Sequence, residues 1–200
     1  MIAIVDYGMG NLRSVQKAFG RVGYEAEITS SPQRIEAASG VVLPGVGAFG
    51  EAMTNLERAG LVSVLRRAAA ERPFMGICLG QQLLFEHSEE MGSHAGLGVL
   101  PGRVLRFRGP LKVPHMGWNR VHIARPSPLF SGVTDGDFAY FVHSYYVAPS
   151  DPALILARTD YGVSFASIVG RDRLFGLQFH PEKSQAFGLT LLANFARLTQ

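Results

Sequence analysis

The sequence predicts an α/β domain on a mixed, mostly parallel sheet with antiparallel additions. Three observations carry that prediction. Short apolar runs alternate with helical periodicities through the first half of the chain. The second half turns to short β-type runs separated by Pro, Gly, Asp and Ser. With 200 residues, 47% of them hydrophobic and 18% charged, the chain can bury a sizeable core. No repeat, low-complexity tract or linker interrupts it, so residues 1–200 are expected to form a single domain.

Taken in order, residues 2–5 are an apolar run suited to a buried parallel strand. Residues 11–22 have helical spacing, with Leu12, Val15, Phe19 and Val22 on one face and Gly23 ending the pattern. Residues 24–28 read as a second strand, and Ser31-Pro32 opens a short helix. Val41-Val42-Leu43 is a third strand running into Pro44-Gly45-Val46-Gly47. Residues 48–70 are helix-rich and are expected to break at Gly60. Residues 74–77 make a fourth strand that stops at Cys78, and residues 79–86 are expected to continue as helix. In the second half, β runs are expected at 104–107, 118–123, 138–142, 154–159 and 163–168. A last strand at 174–179 ends in His180-Pro181-Glu182, and residues 185–198 close the chain as a helix.

Bulk properties exclude several classes. The net charge is +3, but the basic residues are scattered. The densest group, Arg103, Arg106 and Arg108, reads as a solvated face, with a docking or anion-attracting patch as the alternative. One cysteine rules out an intrachain disulfide and a polycysteine zinc site. His87, His94, His115 and His122 lack metal-ligand spacing and read as surface or core residues. No metal or other cofactor is expected. No apolar stretch reaches the ~20 residues needed to span a bilayer. The first residues lack the basic segment of a signal peptide, so a cytoplasmic location is expected.

The sharpest chemical feature is Gly76-Ile77-Cys78-Leu79-Gly80-Gln81-Gln82. A strand ends, a nucleophile sits at the turn, and a helix begins. This is the pattern of a nucleophile elbow with Cys in place of Ser, and the helix N-terminus that follows favours an anion. A buried structural cysteine is the plainer reading. His180-Pro181-Glu182 raises the odds of chemistry: two residues apart at a strand end, His and Glu can share a side, so the acid can orient a base for the thiol. The glycine-bracketed Pro44–Gly47 loop can aim N–H groups at a developing oxyanion, or be an ordinary strand-to-helix turn. Asp6 is a candidate acid or a loop cap, and His143-Ser144-Tyr145-Tyr146 is a candidate pocket wall or a plain edge strand.

These motifs, in this order, resemble the class I (triad) glutamine amidotransferases, over essentially the whole chain. The resemblance implies a three-layer, flavodoxin-like fold. Within the family, Asp6-Tyr7-Gly8-Met9-Gly10-Asn11-Leu12, Pro44-Gly45-Val46-Gly47-Ala48-Phe49 and Pro114-His115-Met116-Gly117-Trp118-Asn119 are similar to one branch. That branch feeds ammonia to a separate (β/α)₈-barrel cyclase subunit in histidine biosynthesis. A departure is Gln81, beside the expected pocket, where methionine is usual.

The resemblance implies residue roles. Cys78 would attack the glutamine amide, His180 would shuttle the proton and Glu182 would orient His180. The Leu79 N–H and an N–H from Gly45, Val46 or Gly47 would form the oxyanion hole. Gln82, His143, Ser144 and Tyr145 would line the substrate pocket, with Gly76 leaving room for approach. Separately from the resemblance, Asn11, Trp118 and Lys183 flank the motif loops and are expected on the partner-facing side. Three other readings compete: an amidotransferase of the same fold with a different acceptor, a non-catalytic subunit that keeps the fold, and an unrelated cysteine hydrolase.

Overall fold

The computed structural model describes residues 1–200. Its frame is an eight-stranded sheet. Five strands are parallel neighbours: β2 (Ala26–Thr29), β1 (Ile2–Val5), β3 (Gly40–Gly45), β4 (Phe74–Cys78) and β14 (Leu174–Leu177). Three antiparallel strands extend it: β13 (Val163–Arg171), β12 (Ile155–Tyr161) and β9 (His122–Ile123). β1, β3 and β4 are buried at every position, as strands covered on both faces must be.

Helices cover both faces. α1 (Leu12–Arg21) and α6 (Gln185–Arg197) pack on one side, burying Phe19 and Phe195 with ring centroids 6.3 Å apart. On the other lie α2 (Pro32–Ala37), α3 (Phe49–Arg58), α4 (Val62–Glu71) and α5 (Leu79–Leu83). The result is the expected three-layer α/β arrangement. Gly60 does break the helical stretch: it separates α3 from α4 at φ +67°.

Two features differ from the sequence reading. The helix expected over residues 79–86 stops at Leu83, and Phe85–Ser88 is a strand, β5. The carbonyls a longer helix would leave for its next turn are taken by another segment: Leu97 N–H donates to Leu83, and Val99 and Leu100 N–H both donate to Leu84. Tertiary pairing overrides local helix preference here. In addition, not all second-half strands join the main sheet. β11 (Tyr145–Pro149), β7 (Leu100–Arg106), β5 and β6 (His94–Ala95) form a four-stranded sheet, while β8 (His115–Arg120) and β10 (Phe138–His143) form a two-stranded ribbon. Ser144 is the corner between ribbon and small sheet, so the chain turns from one to the other beside the ends of β4 and β14. No helix is long and apolar enough to cross a membrane.

Candidate active site

The site lies at the carboxyl ends of β3, β4 and β14, where open α/β sheets place their ligand crevices. Sheet register assembles it. Gly45 pairs with Cys78, and Leu177 pairs with Ile77, so the strand ends converge on one point.

Cys78 is the last residue of β4 and caps α5, at φ +55° and ψ −111°. A residue with a Cβ resists that conformation, and such strain persists only where the surroundings impose it. The surroundings are backbone. A Cβ on Gly80 would stand 1.7 Å from the Leu43 carbonyl oxygen, and one on Gly76 would stand 2.5 Å from the Gly80 carbonyl oxygen. These glycines let the first turn of α5 lie directly on β3 and β4. The room expected at Gly76 for substrate is therefore filled by the helix, and Gly76 does not line the cleft. Gly45 is likewise enclosed, with Tyr7 and α5 around it.

His180 and Glu182 sit beyond the end of β14. His180 N–H donates to the Tyr140 carbonyl at 3.1 Å, and Ser184 Oγ donates to the His180 carbonyl at 2.7 Å. The main chain that carries the ring is thus held on either side. His180 Nδ1 and Glu182 Oε1 are 3.0 Å apart, with side chains only 8% and 1% exposed. Burial is the largest single influence on His180 and opposes its charge. Hydrogen bonds and charge from Cys78 and Glu182 together outweigh burial and raise the imidazole from 6.5 to about 10.

A cleft of about 380 Å³, within the range of small-molecule sites, opens over this group. Cys78, Leu79 and Gln82 form its floor, Val46 and Gly47 one rim, and His143, Ser144, Tyr145 and His180 the opposite wall. Asn11 and Lys183 stand at its edge. Trp118 does not line it: the indole is 47% exposed on the ribbon, against Tyr140, whose other neighbour is the Lys183 ammonium at 6.0 Å.

Three residues at the cleft escaped the sequence reading. Gln178 is fully buried, accepts from Gln82 Nε2 at 3.2 Å, and places its own amide nitrogen 3.9 Å from Cys78 Sγ. Its position two residues before His180 on one strand was a usable signal. Glu90 lines the cleft and accepts the Phe49 N–H at 2.7 Å, but it comes from a loop with no pattern to mark it. Tyr7 OH donates to the Pro44 carbonyl at 3.0 Å and so pins the base of the Pro44–Gly47 loop; burial raises its pKa.

Other candidates resolve differently. Asp6 caps the first loop by accepting from Gly8 N–H at 3.0 Å, and it does not line the cleft. Arg103, Arg106 and Arg108 are exposed, as a solvated face should be, and Arg108 pairs with Glu89. His87 and His122 lie at the surface and His115 in the core.

Comparison with known proteins supplies the deciding observation. The model of the class-I glutamine amidotransferases matches residues 3–198. The chain belongs to that family, in its HisH branch.

The branch assignment rests on full-length relatives. A Syntrophotalea carbinolica protein is 54% identical, covering 98% of both chains, and one from Moorella thermoacetica is 54% identical, covering 100% of this chain and 95% of its own. Each is named imidazole glycerol phosphate synthase subunit HisH. Among solved structures, PurLQS from Thermotoga maritima has a TM-score of 0.79 at 18% identity, covering 100% of this chain and 98% of that one. A glutamine amidotransferase crystal structure has a TM-score of 0.78 at 19% identity, covering 100% and 99%. At that identity these two establish the amidotransferase fold alone.

Gln81 follows the elbow on α5. It points away from the cleft, with Cγ against Gly176, and neither amide atom meets a protein partner although the residue is fully buried. Its expected place beside the pocket is corrected accordingly. A buried amide without partners costs about 1–3 kcal/mol, and methionine has similar volume and no such groups. Gln81→Met is expected to raise unfolding free energy by about 1–3 kcal/mol in urea titration, with glutamine turnover unchanged.

Proposed function

We propose that the chain is the glutaminase subunit of an imidazole glycerol phosphate synthase. It hydrolyses L-glutamine to glutamate and ammonia, and the ammonia passes to a separate cyclase subunit in a heterodimer. There it serves the formation of imidazole glycerol phosphate and aminoimidazole carboxamide ribotide in histidine biosynthesis. The observation that carries this reading is one cleft holding Cys78 on a strained elbow beside a His180–Glu182 pair at 3.0 Å.

The geometry supports the following course. Cys78 Sγ passes its proton to His180 and attacks the side-chain amide carbon of glutamine. Glu182 holds Nδ1, keeping the other ring nitrogen toward the sulfur. The negative oxygen of the tetrahedral adduct is received by the Leu79 N–H and by an N–H of the Gly45–Gly47 loop. His180 returns the proton to the leaving nitrogen, ammonia departs, and a glutamyl thioester remains. Water, deprotonated by His180, cleaves the thioester and releases glutamate. No cofactor or metal enters this course.

Gln82, Ser144 and Tyr145 contact the glutamine. Glu90 supplies the negative charge suited to a substrate α-ammonium. Glu90→Gln is expected to raise KM for glutamine about 10- to 100-fold with a smaller change in kcat, measured by glutamate release at varied glutamine. Unchanged KM would assign Glu90 to the Phe49 N–H alone.

We place the partner over the open side of the cleft, touching Asn11, Trp118 and Lys183. Met116, Trp118 and Phe138, which are 62%, 47% and 48% exposed on the ribbon, continue that surface. Residues 1–200 act as one domain, since the main sheet runs from β1 to β14 and α6 returns against α1. A cytoplasmic location fits an enzyme of free metabolites. The decisive experiment measures glutamate release by the chain alone and with a cyclase subunit and its nucleotide ligand. Release that requires the partner supports the whole proposal; no release under either condition refutes it.

A further inference from the structure

The cleft wall at Ser144 and Tyr145 is held by two buried histidines that the course above does not use, His143 on the wall itself and His115 behind it. His115 on β8 and His143 on β10 are paired in register, and both are buried. His143 Nδ1 lies 2.7 Å from the Tyr145 carbonyl oxygen. A carbonyl only accepts, so Nδ1 carries the proton. In the neutral ring Nε2 is then an acceptor, and His115 Nδ1, 2.9 Å away, donates to it. That leaves His115 Nε2 to accept from the Asn119 amide nitrogen at 3.2 Å. The Asn119 amide is fixed in orientation: its oxygen accepts from Arg120 N–H at 2.8 Å and its nitrogen also donates to the Asp160 carbonyl at 2.9 Å.

Every ring nitrogen therefore has a partner of the right kind only while both rings are neutral. Burial favours that state, lowering His143 to about 3 and His115 to about 4. His115 is also clamped between Phe141 and Tyr161, with centroids 4.9 and 4.1 Å away. The chain of bonds runs one way, from Asn119 through both histidines to the Tyr145 carbonyl. That carbonyl accepts a second bond, from Gln82 Nε2 at 3.0 Å, and Gln82 leads through Gln178 to Cys78.

We infer that His115 and His143 are positioning residues for the substrate. They fix the Tyr145 carbonyl, and with it the Gln82 amide and the Ser144–Tyr145 wall, at the spacing a bound glutamine requires. This rests on the glutaminase reading and deepens it. A purely structural pair would affect stability without separating binding from turnover, whereas displacement of the wall is read in KM.

The test uses the complex with its cyclase subunit. His115→Leu leaves His143 Nε2 without its donor, and KM for glutamine is expected to rise about tenfold while kcat changes less than about twofold. His115→Asn keeps an N–H near the place of Nδ1 and is expected to bring KM back to within about threefold of wild type. Glutamine affinity measured calorimetrically in a Cys78→Ala background is expected to show the same tenfold loss without any turnover. Asn119→Ala, at the half-buried start of the chain, is expected to fold whatever His115→Leu does and to raise KM about threefold. The inference is overturned by unchanged KM in Asn119→Ala, by unchanged KM and affinity in His115→Leu, or by His115→Asn binding as weakly as His115→Leu. Absence of glutamate release by wild type, with no glutamine binding to Cys78→Ala, sinks the glutaminase reading itself and this inference with it.

Discussion

Cys78→Ala is expected to lower glutamine turnover in the complex by about 10⁴-fold or more, because the thioester needs Sγ and removal of a nucleophile from such a unit has effects of that order. The chain has no second cysteine to take over. Glutamate release is the measurement, and more than about a tenth of wild-type turnover in the variant would remove Cys78 from the mechanism. The elbow adds a stability prediction. Alanine inherits the φ of +55° that strains Cys78, whereas glycine adopts it freely. Cys78→Gly is therefore expected to be equally inactive and about 1–2 kcal/mol more stable than Cys78→Ala in urea unfolding. Equal stability of the two variants would show that the position carries no strain.

The second large effect belongs to Glu182. Glu182→Gln is expected to reduce kcat by about 10³-fold, since a glutamine amide can offer His180 Nδ1 an N–H and so select the tautomer unable to accept the thiol proton. KM is expected to change little, as Glu182 does not line the cleft. The pair also links stability to pH. His180 is raised from 6.5 to about 10 on folding, so it binds its proton more tightly in the native state. The stability this contributes is complete below 6.5 and is lost as pH rises through about 10. The urea-midpoint gap between wild type and Glu182→Gln is accordingly expected to be widest near pH 6 and to narrow toward about pH 10. A gap that widens over that interval contradicts the assigned direction.

The strand-and-helix plan of residues 1–78 was legible because it repeats local signals: apolar runs for strands covered on both faces, one-sided apolar spacing for helices, and glycines at the ends. The candidate trio Cys78, His180 and Glu182 was legible for a related reason. Cys78 and His180 stand where apolar runs stop, and strand ends are where such a sheet gathers its chemistry. The failures have a shared cause too. Phe85 reads as helix until Leu97, Val99 and Leu100 claim the carbonyls before it, and Gly76 reads as room for substrate until α5 fills that space. The first neighbour is remote in sequence, and the second, although α5 follows within three residues, takes its place only because the chain turns back sharply at Cys78.

What the sequence determined by itself was the α/β class, the order of the elements through residue 78, and the choice of Cys78, His180 and Glu182 as candidates for nucleophile, base and acid. Local periodicity and residue chemistry suffice for those. Tertiary structure alone decided that Gln178 approaches the nucleophile, that Glu90 enters the cleft from a patternless loop, and that His115 meets His143. For Gln178, His115 and His143 this depends on which strands become neighbours and in what register, and a one-residue slip would turn those side chains to the other face; for Glu90 it depends on where the loop after β5 is folded, with Glu90 accepting the Phe49 N–H.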